Sequence, residues 1–398
     1  MDINQRFSFD RRFTWEVKVG SIGIGGDNPV RIQSMTNTHT LDIDKTVEQT
    51  IRLADSGCEL VRITAADKKQ AHALREIKNE LVRRNYNLPI IADIHYNPEV
   101  AEIAAEYVEK IRINPGNYTD KNRGKFEYTD EEYSDELKKI KERLSPLIEI
   151  CNKHSTAIRI GTNHGSLSER IVGRYGNTPY AMAVSALEFT KICNELGFKN
   201  LVLSQKSSNV KQMVMATRML ADILDQNELY FPLHLGVTEA GDGEDGRLKS
   251  AIGIGGLLSI GIGDTIRVSL TEDPENELPV AQSILQSTGD RIYKAEFIAC
   301  PSCGRTQYNI QEALRKVKKA CSHLVGVKIG VMGCVVNGLG EMADAHYGYI
   351  GAGPNKVNIY RGKTLVHQSL GEDVALEKLI DLIKQDGKWV EKPYYYSY

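Results

Sequence analysis

No run of eighteen apolar residues occurs in this 398-residue chain, and residues 1–15 hold no apolar core of signal-peptide length. Neither a membrane span nor a secretory leader is expected, and the chain reads as cytoplasmic. Cysteine is scarce: seven thiols at this length are too few for a disulfide scaffold, and an odd number leaves one over. Neither sign of charge is in excess. With 50 Lys and Arg against 52 Asp and Glu, the formal charge of −2 excludes a globally basic nucleic-acid binder, though not a locally basic pocket. The glycines Gly20, Gly23, Gly25 and Gly26 are not followed by Lys-Ser/Thr, so no phosphate loop is read there. There is no strong dinucleotide fingerprint, no low-complexity segment, and no repeat beyond a strand–helix beat. What remains is ordinary globular composition, 26% charged and 41% hydrophobic, with length enough for two domains.

The beat is the main fold signal. Trp15–Val19 and the run before Asn28-Pro29 alternate around the glycines, predicting a small hairpin. Eight β-branched runs follow: Val30–Gln33, Leu60–Ile63, Ile90–Asp93, Lys110–Ile113, Ala157–Ile160, Leu201–Ser204, Leu233–Val237 and Thr265–Val268. Amphipathic stretches such as Lys45–Ser56, Lys69–Arg84, Pro98–Val108, Ala181–Leu196 and Asn209–Asp225 lie between them. Eight strand–helix units ending near residue 270 predict an α/β chain built on a closed (β/α)8 barrel, a better fit than an open doubly wound sheet. The charged stretch 117–155 is expected to be a solvated excursion into the helix of the fourth unit. The Gly253–Gly263 stretch is read as tight helix–barrel packing. The domains expected are a barrel over 1–271, a linker with one short helix over 272–291, and an α+β domain over 292–398 whose last residues fray.

Chemistry in such a barrel sits at the C-terminal strand ends. In order they carry Gln33; Arg62 and Thr64; Asp93 and His95; Arg112 and Asn114; Arg159, Asn163 and His164; Lys206; His234 and Glu239; Arg267 and Ser269. Five are cationic (Arg62, Arg112, Arg159, Lys206, Arg267) against the carboxylates Asp93 and Glu239. One arginine at a strand end can simply snorkel to solvent; five from separate strands predict a mouth for a small ligand with two or more phosphates. His95, His164 and His234 lack the spacing of a known metal triad and read as polar contacts.

Cysteine use divides in the same way. Cys58, Cys151 and Cys193 sit alone in apolar surroundings and read as core, as does Cys321. Cys300-Pro-Ser-Cys303 and Cys334 are different, since thiolates so spaced hold zinc or an iron–sulfur cluster. Cys321 or His323 could complete a zinc site. Glu341, in a loop set by Gly333, Gly338 and Gly340, suits the unique iron of a 4Fe-4S cluster better than structural zinc.

Cys300-Pro-Ser-Cys-Gly-Arg-Thr306 and Met332-Gly-Cys-Val-Val-Asn-Gly-Leu-Gly-Glu341 resemble the cluster motifs of the hydroxymethylbutenyl diphosphate synthase family, iron–sulfur enzymes of the methylerythritol phosphate route to isoprenoids. Val30–Met35, Ala92–His95, Arg112–Gly116, Arg159–Gly165, His234–Gly241 and Asp264–Ser269 resemble its barrel segments in order. The resemblance implies a barrel followed by a ferredoxin- or sulfite-reductase-like domain. It implies two-electron reductive ring opening of methylerythritol cyclodiphosphate, with loss of water, through a 4Fe-4S cluster whose unique iron binds substrate. Cys300, Cys303, Cys334 and Glu341 would be the metal ligands. Gln33, Arg62, Asp93, His95, Arg112, Asn114, Arg159, Asn163, Lys206, Arg267 and Ser269 would bind substrate. Glu239 would handle a proton or orient an arginine. Reduced ferredoxin or flavodoxin would supply electrons, and a head-to-tail homodimer would cap each barrel with the partner's cluster domain. Two departures stand out: Leu339 replaces the proline of the usual Asn-Gly-Pro-Gly-Glu loop, removing a fixed φ, and residues 162–168 resemble larger relatives with an extra middle domain that this compact chain has no length for. The rival readings are a phosphate-binding lyase or aldolase barrel with a structural zinc domain, and a non-catalytic iron–sulfur sensor.

Overall fold

A hairpin of β1 (Val17–Val19) and β2 (Ile22–Ile24) opens the computed structural model, which describes residues 10–119 and 124–391. The eight predicted runs form β3 (Arg31–Met35), β4 (Leu60–Thr64), β5 (Ile90–Asp93), β6 (Lys110–Ile113), β7 (Ala157–Asn163), β8 (Leu201–Lys206), β9 (His234–Leu235) and β10 (Thr265–Ile266). They pair in parallel in the order β8-β7-β6-β5-β4-β3-β10-β9. A parallel bridge from Leu203 to Leu233, with the Leu203 N–H donating to Pro232 O at 3.0 Å, joins the two ends and closes the barrel.

Period-two alternation decides what the inside holds. The lower inner wall is apolar apart from Lys110, the register partner of Ile91 and Ala157: Leu60, Ile91, Ala157 and Val202 pack with Val17, Val19 and Ile24, so the hairpin plugs the N-terminal end. The upper wall is polar and forms the mouth. Outside, helices begin at Asp42, Asp67, Asn97, Thr129, Thr178 and Asn209, each accepting a first-turn N–H, caps worth about 1 kcal/mol apiece. The charged excursion resolves into the helix Asp130–His154, opened by a Thr129/Glu132 capping box and seated on Ile140, Leu144, Leu147 and Ile148. Gly253 lies where a Cβ would stand 2.6 Å from Val237 and 2.7 Å from Met213, so the glycine-rich stretch serves close packing.

The chain divides into two compact units, residues 1–291 and 292–398. The first therefore includes residues 272–291, expected as a linker. The helix Glu277–Ser287 there buries Leu278, Ala281, Ile284 and Leu285, an i, i+3, i+4 stripe that needs an apolar surface to cover it.

The second unit is α+β. Its sheet runs β11 (Glu296–Ala299), β12 (Lys328–Met332), β13 (Tyr347–Gly353), β14 (Lys356–Arg361), β15 (Thr364–Gly371), parallel across the first three and antiparallel thereafter. The helices Ile310–Cys321 and Glu372–Gln385 pack on it through Ala313, Val317, Leu379 and Leu382. β13 is rich in glycines, which weaken a strand signal in sequence. A Cβ at Gly348 would meet Met342 Sδ at 2.7 Å, and one at Gly351 would meet Gly333 O at 2.3 Å, so close approach and not a turn explains them. The tyrosine tail, read as frayed, lies outside the described residues.

Candidate active site

Register brings the strand-end cations together. Arg112 pairs with Arg159 and with Asp93 across β5, β6 and β7, and Asn163 pairs with Lys206 across β7 and β8, so these side chains share the inner face. Two glycines make the room. A Cβ on Gly161 would stand 2.5 Å from Arg112 Nε, and one on Gly236 would stand 2.9 Å from Lys206 Nζ.

Asp93, 5% exposed, is the hub. It lies 3.7 Å from Arg62 Nε, 3.4 Å from Arg112 Nη1 and 3.7 Å from His95 Nε2. Burial alone would raise its pKa, but the guanidiniums of Arg62 and Arg112 outweigh this and hold the carboxyl well below the usual range. Arg112 Nη1 also meets His95 Nε2 at 2.7 Å, and Nη2 donates to Gly161 O at 2.8 Å and Asn163 Oδ1 at 3.2 Å. Arg62 rests its Nε and Nη2 on Met35 Sδ at 3.1 and 3.0 Å. A thioether is a weak acceptor, and burial brings this guanidinium's pKa down to about 10 in spite of Asp93.

The remaining cations differ in how they are neutralised. Arg267 is held by buried Glu277, Nη2 to Oε1 at 3.1 Å. Arg159 is 1% exposed, and its Nε and Nη1 have no partner among the described residues. Burial first, then Arg62 and Arg112, lowers its pKa well below 12.5. Burial and Arg159 do the same to Lys206. Gln33, 1% exposed, leaves both amide atoms unpartnered. Asn114 is engaged structurally, capping the turn Pro115–Tyr118 and donating to Ser166 Oγ at 2.7 Å. Ser269 is half-buried two residues beyond Arg267.

A cavity of about 290 Å³ opens on this wall, lined by His95, Asn163, His164, Ser166, Lys206 and Glu239 among others. Glu239 is exposed and held at φ 53°, left-handed backbone that a non-glycine residue adopts at a cost. Its carboxylate thus stands at the rim. The three histidines do not form a metal triad: His95 sits on Arg112, His164 lines the rim, and His234 is buried with both ring nitrogens unpartnered. Lys110, one strand position below Arg112 on the same face and fully buried, is a cation that attention to the C-terminal strand ends passes over. Period-two spacing from Arg112 is the signal that finds it.

In the second unit, Ala299 and Val331 are register partners, so Cys300 and Cys334 follow neighbouring strand ends. Gly333 N–H donates to Cys300 Sγ at 3.2 Å. Ser302, at φ 63°, turns the chain between Cys300 and Cys303. Arg305 Nε donates to Cys303 Sγ at 3.4 Å, which favours the thiolate, and Arg305 is also within electrostatic reach of Cys334. Glu341 is exposed at the end of the helix Val335–Glu341, whose N-cap position Cys334 occupies; Leu339 packs against the cluster of Met332, Met342, Ile350 and Tyr360. Among the described residues no three His, Cys, Asp or Glu side chains are grouped tightly enough for a single metal ion. A four-iron cube spaces its ligands more widely than one ion does. Thiols at adjacent strand ends with N–H donors aimed at sulfur fit that donor set. The candidate fourth zinc ligands are occupied elsewhere: Cys321 is in the apolar core, and His323 Nε2 is 2.8 Å from Val390 O with its ring against Trp389.

A closed barrel with a cationic inner wall, joined to an α+β unit presenting three thiols, defines a two-unit α/β enzyme. Residues 14–282 match the GcpE TIM-barrel domain and residues 296–385 the GcpE protein C-terminal domain. The chain belongs to the GcpE family. It is 50% identical over 394 residues to the 4-hydroxy-3-methylbut-2-en-1-yl diphosphate synthase (ferredoxin) of Prochlorococcus marinus subsp. pastoris, covering 98% of this chain and 97% of that one. It is 51% identical over 384 residues to the enzyme of the same name from Trichormus variabilis, covering 96% and 94%. Among solved structures, a dihydropteroate synthase from Yersinia pestis aligns with a TM-score of 0.45 and 10% identity over 70% of this chain and 100% of that one, too distant to bear on function. No described helix is long and apolar enough to cross a membrane.

Proposed function

We infer that the chain opens the ring of 2-C-methyl-D-erythritol 2,4-cyclodiphosphate reductively, giving 4-hydroxy-3-methylbut-2-enyl diphosphate. Two electrons and two protons are taken up, one ring carbon–oxygen bond breaks, and one hydroxyl leaves as water. The observation that carries the reading is the convergence of Arg62, Arg112, Arg159, Lys206 and Arg267 on one inner wall, with Arg159 Nε and Nη1 unpartnered among the described residues. A barrel that gathers this much charge with so little acid against it is built for a polyanion.

The residues divide the work. Arg159 and Lys206 meet phosphoryl oxygens. Arg62 and Arg112, pre-oriented by Asp93, and Arg267, pre-oriented by Glu277, add forked donors without rearranging. Gln33, His95, Asn163 and Ser269 supply neutral contacts, and Asn114 fixes the loop at Ser166. Glu239, free at the rim, holds the proton delivered to the departing oxygen. Cys300, Cys303 and Cys334, with Glu341 as a fourth ligand, would hold a 4Fe-4S cluster, which supplies one-electron transfer and Lewis acidity when bound. The relatives' names carry ferredoxin, so a reduced ferredoxin is the natural donor here. A homodimer in which each cluster unit caps the partner's barrel would exclude water from the site.

The binding half is tested by Arg62→Ala and Lys206→Ala. Each is expected to weaken cyclodiphosphate binding about tenfold or more, the worth of a charge-assisted hydrogen bond, with iron content unchanged. Wild-type affinity in both variants would contradict the reading.

A further inference from the structure

The barrel's cations are not equally compensated. Arg62 and Arg112 share Asp93, and Arg267 has Glu277. Arg159 and Lys110 have no ion-pair or hydrogen-bond partner for Arg159 Nε and Nη1 or Lys110 Nζ among the described residues. Lys110 opens β6 with 0% exposure and lies beside Ala157 in register, on the inner face that Arg112 continues upward. Both ring nitrogens of His234, which is within electrostatic reach of Lys110, and the amide of Gln33 are also buried and unpartnered among the described residues. These groups come from β3, β6, β7 and β9, different sides of one closed barrel. An ammonium kept dry without a counter-charge is among the costliest groups a fold can hold. A donor-rich floor complements an oxyanion with acceptors to spare.

We propose that Lys110, with His234 from the facing strand β9, forms a floor subsite for the inner phosphoryl group of the diphosphate, Arg159 spanning floor and rim. The proposal rests on the cyclodiphosphate reading and assigns a ligand below the strand-end set. A proton accompanies it. In the empty barrel burial, Arg159 on β7 and Arg62 on β4 hold the Lys110 ammonium well below 10.5, His234 on β9 is likewise held neutral, and Asp93 is the carboxylate shared by Arg62 and Arg112. A phosphoryl dianion reverses that balance, so binding draws protons from solution.

Reconstituted holoenzyme is titrated calorimetrically with inorganic pyrophosphate in two buffers of different ionisation heat. Lys110→Met is expected to bind about ten- to a hundredfold more weakly and to lose part of the proton uptake. Its iron content and ligand-free melting temperature should not fall, because methionine conserves volume and removes a buried polar group that has no partner. Lys110→Gln gives the same comparison should the methionine variant not fold. Wild-type affinity and proton uptake in a folded variant, with Arg62→Ala and Lys206→Ala impaired, would overturn the floor subsite alone. Unchanged affinity in all of them would overturn the diphosphate reading as well.

Discussion

Charge at single residues dominates the mouth, and its sign has a consequence for stability. Lys110 and Lys206 titrate well below their ordinary 10.5 because they are buried among guanidiniums. Between those lowered values and about pH 10, the unfolded chain binds more protons than the folded one, so the ligand-free protein gains stability as pH rises through that window. Asp93 acts at the other end: its contribution is complete above the ordinary 3.8 and is lost as pH falls through its depressed value. Denaturation at a series of pH values should show the alkaline gain, and Lys206→Met should remove up to about 1.4 kcal/mol per pH unit of it. An equal slope in both proteins would mean that Lys206 is not buried in its charged neighbourhood. Much of this site was legible in the sequence, because alternation puts Arg62, Arg112 and Arg159 on one face. The compensation was not. That Asp93 serves two arginines and Glu277 a third depends on register and on a helix folding back, neither of which residue spacing reveals.

At the level of elements, the helix Glu277–Ser287 belongs to the barrel's architecture. Glu277, 2% exposed, accepts from Ser34 Oγ at 2.7 Å and from Leu270 N at 3.3 Å while it holds Arg267. Removing it leaves a guanidinium without its counter-charge and strands a buried hydroxyl. Glu277→Ala should therefore cost about 3–5 kcal/mol in urea denaturation, whereas an ordinary solvated helix face would change by a few tenths. The strand–helix beat was readable because each barrel strand has a β-branched run flanked by polar ends. In the second unit β13 and β15 carry weaker strand signals, for different reasons. Glycine in β13 answers to Met342 and Gly333, and β15 is an edge strand with half-exposed, polar sequence. Leu339, a departure at motif level, packs against the apolar cluster of Met332, Met342, Ala345, Ile350 and Tyr360.

For the whole molecule, the proposed function divides between the two units, with polyanion binding assigned to residues 1–291 and the thiol ligands to residues 292–398. If capping occurs between subunits, mixing and re-exchanging Arg62→Ala and Cys303→Ser chains, assayed at substrate too dilute for Arg62→Ala alone to turn over appreciably, should restore about a quarter of wild-type activity, since half the dimers then hold one intact site. Capping within one chain would restore none. The most direct measurement of the central claim is phosphorus NMR of methylerythritol cyclodiphosphate turned over anaerobically by the iron-loaded enzyme with reduced ferredoxin. Conversion of the cyclic diphosphate signals to those of a linear allylic diphosphate is the predicted result. Unchanged cyclic substrate, from a protein with its full iron and sulfide content, would contradict it.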